Sequence, residues 1–309
     1  MKNFTSIKIL LAFLSFCFLC NPIQSQINTS LPVGTTNGQG SVAPTGAFTY
    51  QVPLFIPEGT GGLVPQLFLT YSSQSGDGVM GVGWGVSGLS SIGRTSKTIY
   101  HDGITEGVNF SDADALSLDG SRLICVSGTH GTSGARYRTE METFIEIIQN
   151  GSGVSSSFLV RTKEGNELHY GISGNSRLKA GGSSITATWL LEKIVDPMGN
   201  QVQFFYIIGT GEARVDRIEY SGNAIKFSYE DRPDPNKRYV DGYAFKQTKR
   251  LTSIKMESDG SAIREYKLAY ETGSPTLLSS ITEHGRSGQK LNPLVFSWGG
   301  GNRFINRRI

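Results

Sequence analysis

The most informative segment of the chain is PQLFLTYSSQSGDGVMGVGWGVSGLSSIGR, residues 65–94. Three alternating positions share one face of a predicted strand: Leu67, Leu69 and Tyr71. A turn rich in Ser, Gly and Asp follows, and then Trp84 stands between Gly83 and Gly85. Glycines beside a large ring let the backbone pass close to it, so we expect a packed corner built from Gly81, Gly83 and Trp84.

Downstream, the chain alternates between short strands and tight turns. Four hairpins are predicted from period-two patterns around Gly- or Asn-bearing turns, and they cover residues 116–126, 158–170, 217–229 and 254–270. Residues 139–148 also alternate, which predicts a strand there. No segment carries an apolar stripe of helical period longer than about two turns. The predicted fold is therefore all-β, an antiparallel meander of hairpins that must curl, close or be covered to hide its edges.

Composition and charge agree with a packed β protein. Among 309 residues there are 39 Gly, 12 Tyr and 16 Phe, and 38% of the chain is hydrophobic. That hydrophobic content argues against disorder. A formal charge of +3 with scattered basic residues argues against a nucleic-acid partner.

The N-terminus has the features of a secretory signal peptide. Lys2 and Lys8 precede the apolar run of residues 9–19, and Ser25 supplies a small residue at the predicted cleavage point. We therefore expect a signal peptide over residues 1–25, a flexible leader over residues 26–40, and secretion to the extracellular space or cell surface. No membrane span is expected after cleavage. A lipoprotein anchored at Cys20 is the alternative. The mature chain keeps one cysteine, Cys125, which is expected to be buried in a strand.

The segment 65–94 resembles the opening signature of the SpvB family, whose N-terminal half is shared with the B subunits of insecticidal toxin complexes. The matching landmarks are Tyr71, Ser73, Ser75-Gly76-Asp77-Gly78, Gly81, Gly83-Trp84, Ile92 and Arg94, with Asp77 where the family usually has Asn. Further landmarks extend the resemblance from about Val42 to Trp298.

The resemblance implies a function that spacing alone does not. Toxin-complex B subunits form part of a hollow shell related to Rhs and YD-repeat proteins, which encloses a toxic cargo and docks to a pore subunit. Residues 41–309 are accordingly expected to form part of a curved Rhs-like β shell that stops before the family's β-propeller. The expected partners are a toxin-complex pore subunit, a C-type or Rhs subunit, or a downstream chain that completes the shell. Some relatives are also expected to reach a host cytoplasm.

No catalytic, cofactor-binding or metal-binding residue is predicted. The family's namesake carries a separate C-terminal ADP-ribosyltransferase domain, and Arg94-Thr95-Ser96 and Glu140-Met141-Glu142 superficially match parts of such a site. We favour a structural role, because Arg94 belongs to the shell signature and the Glu residues lie in the strand predicted over 139–148. The histidines lack zinc-ligand spacing: His101, His130, His169 and His284. The spacing of three acidic residues around a Pro-rich turn does not match a calcium-binding loop either: Asp231, Asp234 and Asp241.

The alternative function is that of a secreted β-sandwich adhesin or carbohydrate-binding module. Exposed Tyr and Trp rings would suit sugar stacking. A shell segment should have open strand edges and should need a partner chain, whereas an adhesin domain should fold alone and bind glycans.

Overall fold

The computed structural model describes Ser30 and residues 34–299. The signal peptide, the cleavage after Ser25 and the possible anchor at Cys20 lie outside the described residues. The described part of the predicted leader contacts the rest of the fold. Thr35 forms a parallel bridge with Asn292, Thr36 is 2% exposed, and the first strand begins at Gln39. Residues 34–40 of the predicted leader make these contacts, and the leader boundaries stay a prediction.

The first strands along the chain form a small antiparallel sheet. Its strands are β1 (Gln39–Val42), β2 (Phe48–Pro53), β3 (Phe68–Ser72) and β6 (Trp84–Ser87), in the spatial order β1-β2-β3-β6. Between β3 and β6 the chain makes a two-stranded ribbon of β4 (Asp77–Gly78) and β5 (Gly81–Val82). Alternation holds along β3, where Leu69 is buried and Tyr71 is half-buried on the same face.

Eight strands then close into a barrel. They are β7 (Ser91–Thr95), β8 (Ala115–Leu118), β9 (Ser121–Ser127), β10 (Arg136–Thr139), β11 (Glu146–Asn150), β12 (Ser157–Arg161), β13 (Glu167–Tyr170) and β15 (Thr186–Val195). Each pairs with the next, and β15 closes the ring because it pairs with both β13 and β7. The short β14 (Arg177–Lys179) also lies on β15, and a one-turn helix α1 (Ile99–Asp102) follows β7.

The barrel continues into an open meander through β15. Its strands are β16 (Gln201–Gly209), β17 (Glu212–Tyr220), β18 (Asn223–Val240), β19 (Tyr243–Ser258), β20 (Ser261–Tyr270), β21 (Leu278–Gly285) and β22 (Leu294–Val295). One continuous hydrophobic core runs through barrel, meander and small sheet, for example from Ile92 through Trp189 to Ile254. Three single 3-10 turns occur at Thr60–Gly62, Gly153–Ser155 and Gly174–Ser176. Among the residues that the structure describes, no helix has the length and apolar character needed to span a membrane.

The all-β prediction is confirmed. The four predicted hairpins are confirmed too, and they are the strand pairs β8–β9, β12–β13, β17–β18 and β19–β20. The predicted alternation around the third hairpin is also confirmed, since Ile218 and Ile225 are buried partners across the strands. The strand predicted over residues 139–148 is wrong in its first half. β10 ends at Thr139, Phe144 adopts a left-handed φ of 58°, and β11 begins only at Glu146.

Candidate functional site

The β4–β5 ribbon docks on the meander and joins residues 65–94 to the rest of the fold. Val82 N donates to Thr276 O at 3.1 Å, and Leu251 N donates to Val79 O at 3.0 Å. Gly81 has φ 91°, and a Cβ added there would lie 2.3 Å from Thr276 O. Only glycine combines this backbone conformation with so close an approach. The ribbon is therefore fixed by backbone contacts to two separate parts of the meander.

A buried arginine lies beneath the ribbon. The side chain of Arg232 is 0% exposed, and all three of its guanidinium nitrogens donate hydrogen bonds. Nε donates to Asp234 Oδ1 at 3.0 Å, and the two terminal nitrogens donate to Gly78 O at 3.0 Å and to Asp77 Oδ1 at 2.5 Å. Asp234 also accepts bonds from the backbone nitrogen, at 2.6 Å, and the hydroxyl of Thr276. We call these five residues the Arg232 joint: Asp77, Gly78, Arg232, Asp234 and Thr276.

The two carboxylates of the Arg232 joint have opposite pKa shifts. Burial raises the pKa of Asp77 above its usual value, and the bond and charge of Arg232 offset this only in part. Burial acts in the same direction on Asp234, but the hydrogen bonds from Thr276 and Arg232 outweigh it and hold the pKa of Asp234 below its usual value. Asp234 is therefore the more firmly ionised member of the joint.

Beside the joint, an aromatic corner covers the inner face of the small sheet. It consists of Tyr50, Tyr71, Trp84, Phe296 and Trp298, with ring centroids between 4.8 and 6.2 Å apart. Trp84 is 3% exposed, and Trp298 Nε1 donates to Leu278 O at 2.8 Å. Gly83 has φ 75°, and a Cβ there would lie 2.5 Å from the Tyr71 ring. The packed corner expected from Gly81, Gly83 and Trp84 is confirmed.

The structure separates the residues that superficially match an ADP-ribosyltransferase. Arg94, on β7, is buried against the Trp189 ring at 5.3 Å and pairs with Asp114 at 3.3 Å, and burial lowers its pKa. Glu140 instead meets His101 at 3.0 Å, and Glu142 lies in the same exposed connection after β10. Arg94 therefore belongs to the barrel core, while the two glutamates belong to a surface loop.

The other candidate residues have separate environments. Each histidine has its own neighbours: His101 Nε2 meets Glu140, His130 Nε2 meets Asp114 O at 2.9 Å, His169 lies on β13, and His284 bridges to Lys290. Within the described residues no group of three His, Cys, Asp or Glu side chains is placed to hold a metal ion. Cys125 lies on β9 as expected, but it is half-buried and not fully buried, with Sγ 3.6 Å from Ser127 O. Asp234 belongs to the Arg232 joint.

The joint and the corner hold the ribbon, the small sheet and the meander together. Arg232, Phe296 and Trp298 were missed as members of the joint and corner. Arg232 was noted only as a landmark of the family resemblance, in the Pro- and Asp-rich segment RPDP at 232–235. This segment interrupts the pairing of β18 with β19 between Asp231 and Asn236.

Comparison with known proteins identifies a family for the chain. The family model for the Salmonella virulence plasmid 65kDa B protein, SpvB, matches residues 42–256. The mono(ADP-ribosyl)transferase SpvB of Salmonella typhimurium is 28% identical over 203 residues, covering 58% of this chain and 32% of that protein. The homologue from Salmonella choleraesuis is 27% identical over 217 residues, covering 63% of this chain and 34% of that protein. The chain thus spans about a third of the length of these relatives.

Solved structures share the fold. The crystal structure of TcdB2-TccC3 matches 88% of this chain and 17% of that chain, with a TM-score of 0.72 at 18% identity. The Photorhabdus luminescens Tc holotoxin pore matches 90% of this chain and 17% of that chain, with a TM-score of 0.71 at 18% identity. The N-terminal domain of effector protein SpvB from Salmonella typhimurium strain LT2 matches 80% of this chain and 98% of that chain, with a TM-score of 0.64 at 19% identity.

Proposed function

The chain belongs to the SpvB family, and we propose that it is a non-catalytic wall segment of a secreted toxin-complex shell that encloses or presents a toxic payload. The observation that carries this proposal is the shared fold with TcdB2-TccC3 over 88% of the chain. The wall is made of paired strands stabilised by the Arg232 joint and the aromatic corner. Such a wall acts by excluding solvent and partners from one side.

The proposal includes partners and a location. A C-type or Rhs subunit, a pore subunit, or a neighbouring chain would pair with this segment and complete the enclosure. The signal peptide over residues 1–25 would direct the chain out of the producing cell, with cleavage after Ser25. A sheet that exposes edge strands needs such cover, because unpaired backbone groups otherwise recruit other strands.

The absence of catalysis is also part of the proposal. The similarity to the Salmonella protein lies in its N-terminal domain, of which the structural match covers 98%. Arg94 is occupied by Asp114 and the Trp189 ring, away from Glu140 and its partner His101. Incubation with labelled NAD and a cell lysate should transfer no label, and labelling that disappears in Arg94→Lys would contradict a purely structural role.

One observation favours the rival adhesin function. The outer face of the small sheet carries a groove of about 720 Å³ lined by hydroxyl and amide side chains, among them Gln39, Ser41, Thr49, Gln51 and Thr70. Such groups could bond sugar hydroxyls. However, the ring best suited to stacking, Trp84, is buried in the aromatic corner. The shell function is therefore preferred.

Co-expression separates the two functions. Residues 26–309 should be purified alone and together with the product of the neighbouring coding sequence or a C-type subunit, and then compared by light scattering and limited proteolysis. A shell segment should form a stable complex of larger mass in which its strands resist cleavage. A monomer that does not bind these partners but does bind a glycan array would overturn the proposal in favour of an adhesin.

A further inference from the structure

A second cavity lies where the sheet forks. β15 pairs with β7 through Thr188–Leu190 and with β16 through Lys193–Val195. β7 and β16 therefore occupy successive parts of β15, and they separate from each other beyond Leu190. β17 and β18 also part, because they pair only between Arg217–Tyr220 and Asn223–Lys226. The space between them is a cavity of about 550 Å³. Residues of β7, β15, β16, β17, β18 and β19 line it, together with residues of β4, β6 and β14.

Basic side chains outnumber acidic ones around this fork cavity. The four basic residues are Arg214, Arg238, Lys246 and Lys249, and the two acidic residues are Asp77 and Glu212. Both carboxylates are already engaged within the protein. Asp77 accepts from Arg232, and Glu212 accepts from Thr248 N at 2.9 Å and from its hydroxyl at 2.7 Å.

Two arginines have no carboxylate within hydrogen-bond distance in the described part of the chain. Arg238 forms no ion pair within the described part of the chain, and its guanidinium lies 5.6 Å from the Phe245 ring centroid. Arg214 lies 5.6 Å from the Tyr229 ring centroid, and its nearest carboxylate oxygen, on Glu212, is 3.9 Å away. The Nε of Arg214 is buried without a hydrogen-bond partner. A buried donor without an acceptor is costly, and a bound acceptor would remove that cost.

The chemistry of these groups selects one class of ligand. A guanidinium is a planar fork that bonds carboxylate and phosphate oxygens in pairs, and an aromatic ring beneath it holds its plane in place. The cavity volume lies within the range of small-molecule sites. We propose that the fork cavity binds a small organic anion that carries two or more carboxylate or phosphate charges. Such binding goes beyond the wall function and does not depend on it.

Calorimetric titration of residues 26–309 tests the proposal. Citrate and inorganic pyrophosphate are the probes, each added at constant ionic strength in a chloride buffer. We expect saturable binding of at least one probe. Arg214→Ala and Arg238→Ala should each weaken it about 10-fold or more, because each removes a charge-assisted bond. Preference for pyrophosphate would identify the ligand as phosphorylated, and preference for citrate as a polycarboxylate.

Lys237→Ala is the matched control. It removes the same charge from the same strand, but Lys237 points to the opposite face from Arg238 because side chains alternate along β18. Binding should change by no more than roughly twofold, as for other exposed charges. Arg238 is exposed, so its substitution should leave the melting temperature unchanged. Failure of both probes to bind, or equal weakening by Lys237→Ala, would overturn the proposal.

Discussion

The rings of Trp84 and Phe296 lie 4.8 Å apart between centroids, in a tilted contact. Trp84 begins β6, whereas Phe296 follows β22 near the other end of the described chain. Tyr50 touches both rings, at 6.2 Å from Trp84 and 6.0 Å from Phe296. The small sheet and the end of the meander are therefore joined through one set of aromatic contacts, and the stability of the fold should depend on them.

Trp84→Ala should lower the free energy of unfolding by about 3–5 kcal/mol, because it removes a buried ring from a packed cluster. Urea denaturation followed by circular dichroism measures this loss. Tyr239→Ala is the control, since Tyr239 is 61% exposed and its loss should cost less than about 0.5 kcal/mol. A parent-like unfolding midpoint for Trp84→Ala would show that the aromatic corner does not stabilise the fold.

Gly83→Ala should cost about 1–3 kcal/mol, because it places a Cβ in a left-handed conformation and against the Tyr71 ring. Gly85→Ala, two residues away, should change stability by less than about 0.5 kcal/mol, since a Cβ added there would have nothing within 4 Å and its φ is ordinary. Melting temperatures of the two variants, measured side by side, give the comparison. Equal losses would contradict the close-approach argument.

Arg232→Met should cost about 3–5 kcal/mol, because two partly buried carboxylates lose their shared cation. Arg161→Met is the control. Arg161 also pairs with two carboxylates, on Glu146 and Glu167, but its side chain is 50% exposed. That change should cost no more than about 1 kcal/mol. Chemical denaturation of both variants tests the difference, and similar losses would mean that burial of the Arg232 joint is unimportant.

The Arg232 joint also predicts an acid dependence. The pKa of Asp234 is held below its usual 3.8 in the folded chain, so its contribution to stability is fully present above that value and is lost as the pH falls through the lower, folded pKa. Asp234→Asn should therefore be less stable than the parent at pH 7, and the difference should shrink below about pH 4. Denaturation at pH 7, 5, 4 and 3 measures it. A difference that stays constant with pH would contradict ionisation as its source.

Local patterns predicted the strands well, because a two-residue period and a turn glycine are properties of adjacent residues. Ile218, Ile225 and the Ser221-Gly222 turn between their strands show this. The error at residues 139–148 has the same origin. Alternating Phe144, Glu146 and Ile148 satisfied the pattern, but the positive φ of Phe144 turns the chain where a strand was expected.

The long-range contacts were not predictable from one sequence. Nothing local indicates that Asp77 and Gly78 will meet Arg232, because their proximity depends on how the β4–β5 ribbon folds back over β18. Likewise, Phe296 alternates like many strand residues, and its place beside Trp84 follows only from the path of the meander. The resemblance to a family supplied the shell expectation, whereas the Arg232 joint and the aromatic corner depend on contacts between distant parts of the chain.

The fork at β15 has a mechanical consequence. β15 is one of the eight barrel strands, and it is also the strand to which the first strand of the meander, β16, is paired. Force applied to the meander would be transmitted through β15 to the barrel. There it would act on several hydrogen bonds of β15 with β7 and β13 at the same time. Barrel and meander also share one hydrophobic core, so both should unfold together as one cooperative unit.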